Sequence, residues 1–193
     1  MKKTNVLKLV TAAMLTAIAF ALYMFEIPLI SFGFLKYDLS DIAALIGGIY
    51  LGPAVGVLIE FLKNLIHVFT KGLGSTMGFG DLMNFIVGSA YIVPFVICYN
   101  KFSKKMKKAV AILISAIIGC IALVGLGAAA NYFIAPLYFK YFVGQVITDE
   151  FLMTYLVSAT SLNIVKGAIL SAVAYPIILL LLDKIKKVSR IGE

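Results

Sequence analysis

The chain has 193 residues, of which 62% are hydrophobic and 13% are charged, and its formal net charge is +8. Soluble domains contain about 45–50% apolar and about 25% charged residues, so this composition excludes a water-soluble domain and predicts an integral membrane protein. The length fits one domain covering 1–193. The two cysteines lie in apolar runs and form neither a disulfide framework nor a metal motif.

Five apolar segments follow one another along the chain, at 9–25, 42–70, 82–100, 109–139 and 151–182. The second segment would extend about 43 Å as one helix at 1.5 Å per residue, which is long for one span and short for two. Gly52-Pro53 lies inside it, and a proline breaks or restarts a helix. We therefore predict a short helix over 40–52 and a longer one over 53–70.

The distribution of basic residues supports this division. They cluster at the start, the middle and the end of the chain, at Lys2, Lys3 and Lys8, at Lys101, Lys104, Lys105, Lys107 and Lys108, and at Lys184, Lys186, Lys187 and Arg190. The positive-inside rule places all three clusters in the cytoplasm only if the second segment crosses twice. The sequence thus predicts an all-α integral membrane protein with six transmembrane helices, a short second helix and both termini cytoplasmic. Anionic lipid explains the basic clusters without a nucleic acid partner.

The first apolar segment allows one alternative. Lys2-Lys3, an apolar stretch and Ala19-Phe20-Ala21 form the pattern of a signal peptide with a small-residue cleavage site. The apolar run continues to Phe25, and about 17 residues exceed the usual signal core, which favours a retained helix. The charge pattern is compatible with both.

Charged residues lie inside the third predicted helix. Glu60, Lys63 and Asn64 share a face at spacings of three and four. A charge at mid-bilayer costs about 2.5–3.5 kcal/mol, so this polar cluster needs partners or a wet cavity. A self-contained ion pair facing the bundle interior is the alternative to a functional role. His67 follows one turn later, and we expect it to be interfacial or hydrogen-bonded, because no second His or Cys stands nearby to make a metal site.

Amide and ammonium groups recur in the outer halves of the last three predicted helices, at Asn84, Asn131, Asn163 and Lys166. They offer donors and acceptors that suit a neutral or weakly anionic ligand rich in carbonyls and ring nitrogens. The alternative is that they form interhelical hydrogen bonds, worth about 0.6 kcal/mol each. For Asn84, taken by itself, we prefer this alternative. It does not suit Lys166, which has no acidic neighbour in the sequence.

Aromatic residues crowd the same predicted side, at Phe32, Phe34, Tyr37, Tyr132, Phe133, Tyr138, Phe139, Tyr141 and Phe142. They are explained either by an interfacial belt or by stacking on a flat ligand. On the first helix, Ala13, Ala17 and Ala21 form a face of small residues that allows close helix approach. Either the bundle itself or a partner subunit could use that face.

Motifs of catalysis are absent from the sequence. It contains no GxxxxGK[ST], HExxH or GxSxG pattern, so it has neither a Walker A loop nor a recognisable hydrolase or metalloprotease site. No catalytic residue is assigned. Short spans around an externally open polar cavity indicate a solute-binding transport protein rather than an enzyme.

The stretch KYDLSDIAALIGGIYLGPAVGVLIEFLKNLIH at 36–67 resembles the riboflavin-specific S components of energy-coupling factor (ECF) transporters. These have a Y-D-x-S-D loop, a short second helix, a Gly-Pro turn and a third helix bearing E-x-x-K-N. The resemblance extends to GFGDLMNFIVGSAYIVP at 78–94, where Asp81 replaces the more usual glutamate. It continues to Asn131 and to NIVKG at 163–167.

The resemblance implies a fold, a ligand and partners. S components bind a vitamin on the extracellular side of a prokaryotic cell membrane and need no cofactor. They associate with a membrane coupling subunit and two ABC ATPase subunits, which hydrolyse ATP. Riboflavin would be bound by Tyr37, Asp38, Asn84, Asn131, Asn163 and Lys166. The last three would hold the polar edge of the isoalloxazine ring, with the loop before the short helix acting as a lid. Ala13 and Ala17 would match the surface that docks on the coupling subunit.

Two other functions stay open at this point. One is an S component for another vitamin, such as thiamine. The other is a stand-alone membrane channel or scaffold. A channel would need a polar stripe through several spans, whereas the polar groups here lie mostly in the outer half and favour capture.

Overall fold

The computed structural model describes residues 3–25, 27–28, 36–72 and 77–191, with side chains over 6–25, 38–72 and 77–180. Within these ranges the chain forms six α-helices, a short π-helical turn and one antiparallel pair of two-residue strands. In chain order the elements are α1 (Lys3–Tyr23), β1 (Ile27–Pro28), β2 (Lys36–Tyr37), α2 (Asp41–Leu51), α3 (Pro53–Lys71), α4 (Phe79–Phe102), α5 (Lys108–Tyr138), the π-helical turn (Phe139–Val143) and α6 (Asp149–Ile191).

The predicted division of the second apolar segment is confirmed. Gly52 ends α2 with a φ of 111°, a conformation that glycine adopts without strain, and its amide donates to the Gly48 carbonyl at 2.9 Å. Pro53 then opens α3, where a proline needs no backbone donor. With 11 residues, α2 is about 17 Å long, well short of a bilayer core of about 30 Å.

The other five helices are long and apolar enough to cross a membrane, by length and composition. The predicted segments 82–100 and 109–139 correspond to α4 and α5 with at most three residues' difference at either end. The helix α1 begins earlier than predicted, and α6 continues to Ile191. The chain is therefore an all-α, multi-pass membrane protein.

Neighbouring helices run antiparallel from α2 onward. A late residue of one helix meets an early residue of the next at Gly48 with Gly56, His67 with Asp81, and Asn131 with Tyr155. Between α4 and α5, Val87 lies against Gly127 and Tyr91 lies against Gly119, so the two helices run in opposite directions. The last residue of α1, Tyr23, contacts Asp81 at the start of α4, so α1 begins at the opposite end of the bundle. That end also holds the end of α6 and the lysines of 101–108, and we call it the basic end. The opposite end is called the site end.

One face of α1 packs on the bundle and the other does not. The buried face follows helical spacing through Ala12, Thr16, Ala19 and Tyr23. Ala13 and Ala17 are exposed, on the other side of the helix. Within the part of the chain that the structure describes, the bundle does not use the alanine face. This exposure favours the second of the two interpretations, in which a partner subunit uses the face.

Candidate functional site

Asp41 lies at the centre of the polar groups at the site end. It is the first residue of α2, and none of its surface is exposed. One carboxylate oxygen accepts a hydrogen bond from Lys63 on α3. The other oxygen forms an ion pair with the Lys166 ammonium on α6 at 2.9 Å. A single carboxylate therefore joins three helices.

The polar cluster predicted on α3 is assembled around Lys63. Its ammonium pairs with Glu60 at 2.7 Å and also donates to Ser40 beside Asp41. The Asn64 amide donates to the Glu60 backbone carbonyl at 2.7 Å. The predicted Glu60–Lys63 pair is present, but it is not self-contained, because Lys63 also reaches α2. The cluster on α3 and the groups on α6 form one network through Asp41.

Lys166 also contacts Asn84, another residue of the predicted ligand site, which in turn contacts Asp38. Its ammonium donates to the Asn84 carbonyl oxygen at 2.6 Å, and the Asn84 amide nitrogen donates to Asp38 at 3.3 Å. Asp38 in turn accepts the backbone N–H of Ser40 at 2.8 Å, which fixes the turn into α2. Asn84 therefore makes an interhelical hydrogen bond with Lys166, as expected of it, and a second bond to Asp38 before α2, and both lie within the candidate site.

The side chains of Asn131 and Asn163 both approach Gly127 on α5. The Asn131 amide nitrogen donates to the Gly127 carbonyl at 2.8 Å, and its oxygen accepts the Tyr155 hydroxyl at 2.5 Å. A Cβ at Gly127 would lie 2.6 Å from the Asn163 amide nitrogen, so only glycine allows this approach. Asn163 is buried, yet its amide makes no hydrogen bond to another described residue. It stands one helical turn from Lys166, so the two groups adjoin.

A second buried polar network joins α1 to α3 and α4. Asp81 accepts the Tyr23 hydroxyl at 3.0 Å and lies 2.6 Å from the His67 ring nitrogen. The Tyr23 and His67 rings stack with centroids 4.1 Å apart. The expectation of a hydrogen-bonded His67 is thereby confirmed.

The acidic residues at the starts of α2 and α4 are buried. Asp38, Asp41 and Asp81 lie where helices begin at the site end, and none of the three carboxylates is solvated. Each has partners from other helices that sequence neighbours do not reveal: Lys166 is 125 positions from Asp41. These carboxylates hold the site end together instead of marking a solvated loop.

The aromatic residues divide between surface and core. Tyr132, Phe133, Tyr141 and Phe142 are exposed on the outside of the bundle, as an interfacial belt requires. Tyr138 and Phe139 are buried, and Tyr138 stacks on Phe79 with centroids 4.4 Å apart. Residues Phe32 and Phe34 and the side chain of Tyr37 lie outside the described part of the chain, as do the side chains of the C-terminal basic cluster.

Three residues of the site were missed by the sequence analysis as parts of a site: Asp41, Gly127 and Tyr155. Asp41 stands inside the quoted 36–67 motif, so a signal for it existed. Neither Gly127 nor Tyr155 has a local signal, because each matters only through a side chain on another helix. The arrangement as a whole supplies hydrogen-bond donors and acceptors from α4, α5 and α6 beside the buried charge network around Asp41.

Comparisons with known proteins agree on one protein family. The model of the family "ECF transporter, substrate-specific component" matches residues 7–178. The chain is 30% identical over 172 residues to the riboflavin transporter FmnP of Bacillus subtilis (strain 168), covering 88% of each protein. It is 28% identical over 169 residues to the riboflavin transporter RibU of Staphylococcus aureus (strain TCH60), covering 86% of this chain and 85% of that protein.

The fold agrees with a solved structure. The S component of a bacterial ECF transporter superposes with a TM-score of 0.75 at 25% identity, covering 94% of this chain and 99% of that one. The resemblance drawn from the 36–67 motif is confirmed, and the chain is a transport subunit rather than an enzyme. On the match of its sequence over 7–178 and of its six-helix fold, the chain belongs to the substrate-specific components of ECF transporters.

Proposed function

We propose that the chain binds riboflavin at the site end, where α4, α5 and α6 meet, and delivers it to an ECF-type importer. The observation that carries this proposal is the convergence of Asn84, Asn131, Asn163 and Lys166 on one junction. Two relatives named as riboflavin transporters, at 30% and 28% identity, support the same ligand. Tyr37 and Asp38 complete the proposed site from the residues before α2.

The chemistry of the junction matches the polar edge of a flavin ring. That edge presents carbonyl oxygens and ring nitrogens, which need both donors and acceptors. Lys166 has three N–H donors, of which one is directed to Asn84 while the ammonium also pairs with Asp41, so donor capacity remains for a ligand. Asn163 offers an amide that no described residue engages. Because the buried carboxylates of Asp38, Asp41 and Glu60 outnumber the two buried ammonium groups, an uncharged ligand suits the site better than an anion.

Uptake would require the partners that this family uses. A membrane coupling subunit would dock on α1, and two ABC ATPase subunits would supply ATP hydrolysis. The exposure of Ala13 and Ala17 supports a docking surface there, since small side chains let another helix approach closely.

The orientation that we propose places the basic end and both termini in the cytoplasm and the site end outside. Single cysteines at Lys71 and Lys140, which flank the site end, should react with a membrane-impermeant reagent on intact cells. A cysteine at Lys105, at the basic end, should react only after permeabilisation. Labelling of position 105 from outside would overturn the orientation and the capture of ligand from the extracellular side.

The ligand itself is tested by extraction and competition. Mass spectrometry of small molecules released from the purified protein should detect riboflavin, and added riboflavin should lose fluorescence on binding. Thiamine in large excess should not compete. Competition by thiamine, or failure of ligand-free protein to bind riboflavin, would reject the riboflavin assignment in favour of another vitamin.

A further inference from the structure

The Asp41 carboxylate is shared between two lysines. Lys63 donates to one oxygen, and Lys166 lies 2.9 Å from the other. Asp41 and Lys63 are fully buried and Lys166 is 4% exposed, so water screens none of these charges effectively. How strongly Asp41 attracts one ammonium therefore depends on how fully the other neutralises it.

The two lysines lie on different sides of the carboxylate. Lys63 has its partners on α2 and α3, at Ser40, Asp41 and Glu60. Lys166 comes from α6 and extends to Asn84 on α4, within the junction of the proposed site. Lys63 therefore reaches Lys166 through Asp41, and a second chain of hydrogen bonds leads from Lys63 through Ser40 and Asp38 to Asn84. The double variant described below isolates the first route, because it removes the Asp41 charge and leaves Asp38 in place.

We propose that Lys63 is a positioning residue for the ligand site: by neutralising Asp41, it leaves the Lys166 ammonium anchored but still available to the ligand. The proposal rests on the proposed function in one respect, that Lys166 contacts the ligand. Without Lys63, the full charge of Asp41 acts on Lys166. The ammonium is then drawn toward both carboxylate oxygens and away from the junction.

Charge counting within the network supports this role. Three buried carboxylates, from Asp38, Asp41 and Glu60, face two ammonium groups. Loss of Lys63 leaves three carboxylates against Lys166 alone. Removing one member of a buried ion pair is costly, whereas removing both members is often tolerated. A variant that loses Lys63 and the Asp41 charge together should therefore function better than one that loses Lys63 alone.

The test is a cycle of three variants, Lys63→Met, Asp41→Asn and the double variant, each titrated with riboflavin. We expect Lys63→Met to weaken binding about tenfold, equivalent to about 1.4 kcal/mol. The double variant should bind more tightly than Lys63→Met, because the carboxylate that captures Lys166 is gone. If Lys63 only supports the fold, the double variant will bind as weakly as Lys63→Met or more weakly, and the proposal is overturned.

A second readout needs no ligand. In ligand-free protein labelled with ¹⁵N-lysine, the Lys166 Nζ resonance should shift in Lys63→Met and return toward the wild-type position in the double variant. Glu60→Gln, a nearly isosteric change, frees Lys63 to bind Asp41 more firmly and should shift the resonance in the opposite direction. This variant keeps the test decisive if Lys63→Met does not fold.

The two proposals fail in different ways. If the Lys166 Nζ resonance does not shift in either Lys63→Met or Glu60→Gln, the positioning role is overturned, whatever the protein binds. Wild-type protein that shows these shifts but does not bind riboflavin rejects the riboflavin assignment, while the coupling of Lys63 to Lys166 stands.

Discussion

The exposed face of α1 and the junction of α4, α5 and α6 are built on opposite principles. The side chains of Ala13 and Ala17 are small and apolar, and the described part of the chain leaves them exposed. The junction is buried and polar, and its groups are tied to one another across helices. A surface of the first kind suits close contact with another membrane helix, and a site of the second kind suits a polar ligand. Docking and binding thus occupy separate parts of one bundle.

The separation is not complete at the site end. Tyr23, the last residue of α1, donates to Asp81, and the Lys63 ammonium lies 5.5 Å from the centre of the Tyr23 ring. The end of α1 therefore touches the same buried network that anchors Lys166. Among the described side chains of α1, from Val6 onward, no other makes such a polar link, so changes at Ala17 should leave the site undisturbed.

The largest effect is expected from Ala17→Trp, which tests the separation directly. A bulky side chain would hold a partner helix a few ångströms away and forfeit its contacts. We expect riboflavin binding in detergent to be unchanged, whereas ATP-dependent uptake and co-purification of the coupling subunit are lost. The measurement is a paired assay of equilibrium flavin binding and uptake into cells or proteoliposomes.

The matched control is Leu113→Trp, since Leu113 is also exposed but lies on α5. It should retain both binding and uptake. Normal uptake by Ala17→Trp would show that the alanine face contacts only lipid. Loss of flavin binding as well would show that the face supports the fold.

A smaller effect is expected from Gly127→Ala, which perturbs the junction without changing a polar group. The new methyl group would lie 2.6 Å from the Asn163 amide nitrogen and 3.2 Å from a Val87 methyl, so the amide must move. We expect riboflavin to bind about tenfold more weakly, a change of about 1.4 kcal/mol. Gly125→Ala on the same helix meets no atom within 4 Å and should bind normally. Equal riboflavin affinities for the two variants would show that Asn163 does not take part in ligand binding.

The smallest effect is expected from Tyr155→Phe, which removes only the hydroxyl that orients Asn131. One buried hydrogen bond contributes about 0.5–1.5 kcal/mol, so the affinity for riboflavin should fall roughly two- to tenfold. Tyr132→Phe, which removes a hydroxyl at an exposed position of α5, is the control and should have no effect. Full affinity in Tyr155→Phe would mean that Asn131 needs no help to face the ligand.

The helices could be predicted because their signals are local. Hydropathy marked the apolar segments, and the positive-inside rule together with Gly52-Pro53 divided the second one correctly. The cluster of Glu60, Lys63 and Asn64 was equally visible, since residues three and four apart share a helix face.

The partners across helices could not be predicted in the same way. Lys166 has no acidic neighbour in the sequence, and its counter-charge is Asp41, at the start of α2. Tyr155 and Gly127 likewise matter only for what they do to Asn131 and Asn163. Such contacts depend on how six helices pack, which no single segment encodes.

The most direct test of the account is the affinity of Lys166→Met for riboflavin, measured by quenching of flavin fluorescence in purified protein. Asp41 keeps its contact with Lys63 in this variant, so the bundle should remain folded, with a lowered ligand-free melting temperature because one member of a buried ion pair is lost. Loss of one buried hydrogen-bonding partner costs about 1–3 kcal/mol, which predicts roughly a five- to 150-fold weaker affinity, with a loss in the same range for Asn131→Ala. Wild-type affinity in both variants would contradict the placement of the ligand at the junction of α4, α5 and α6.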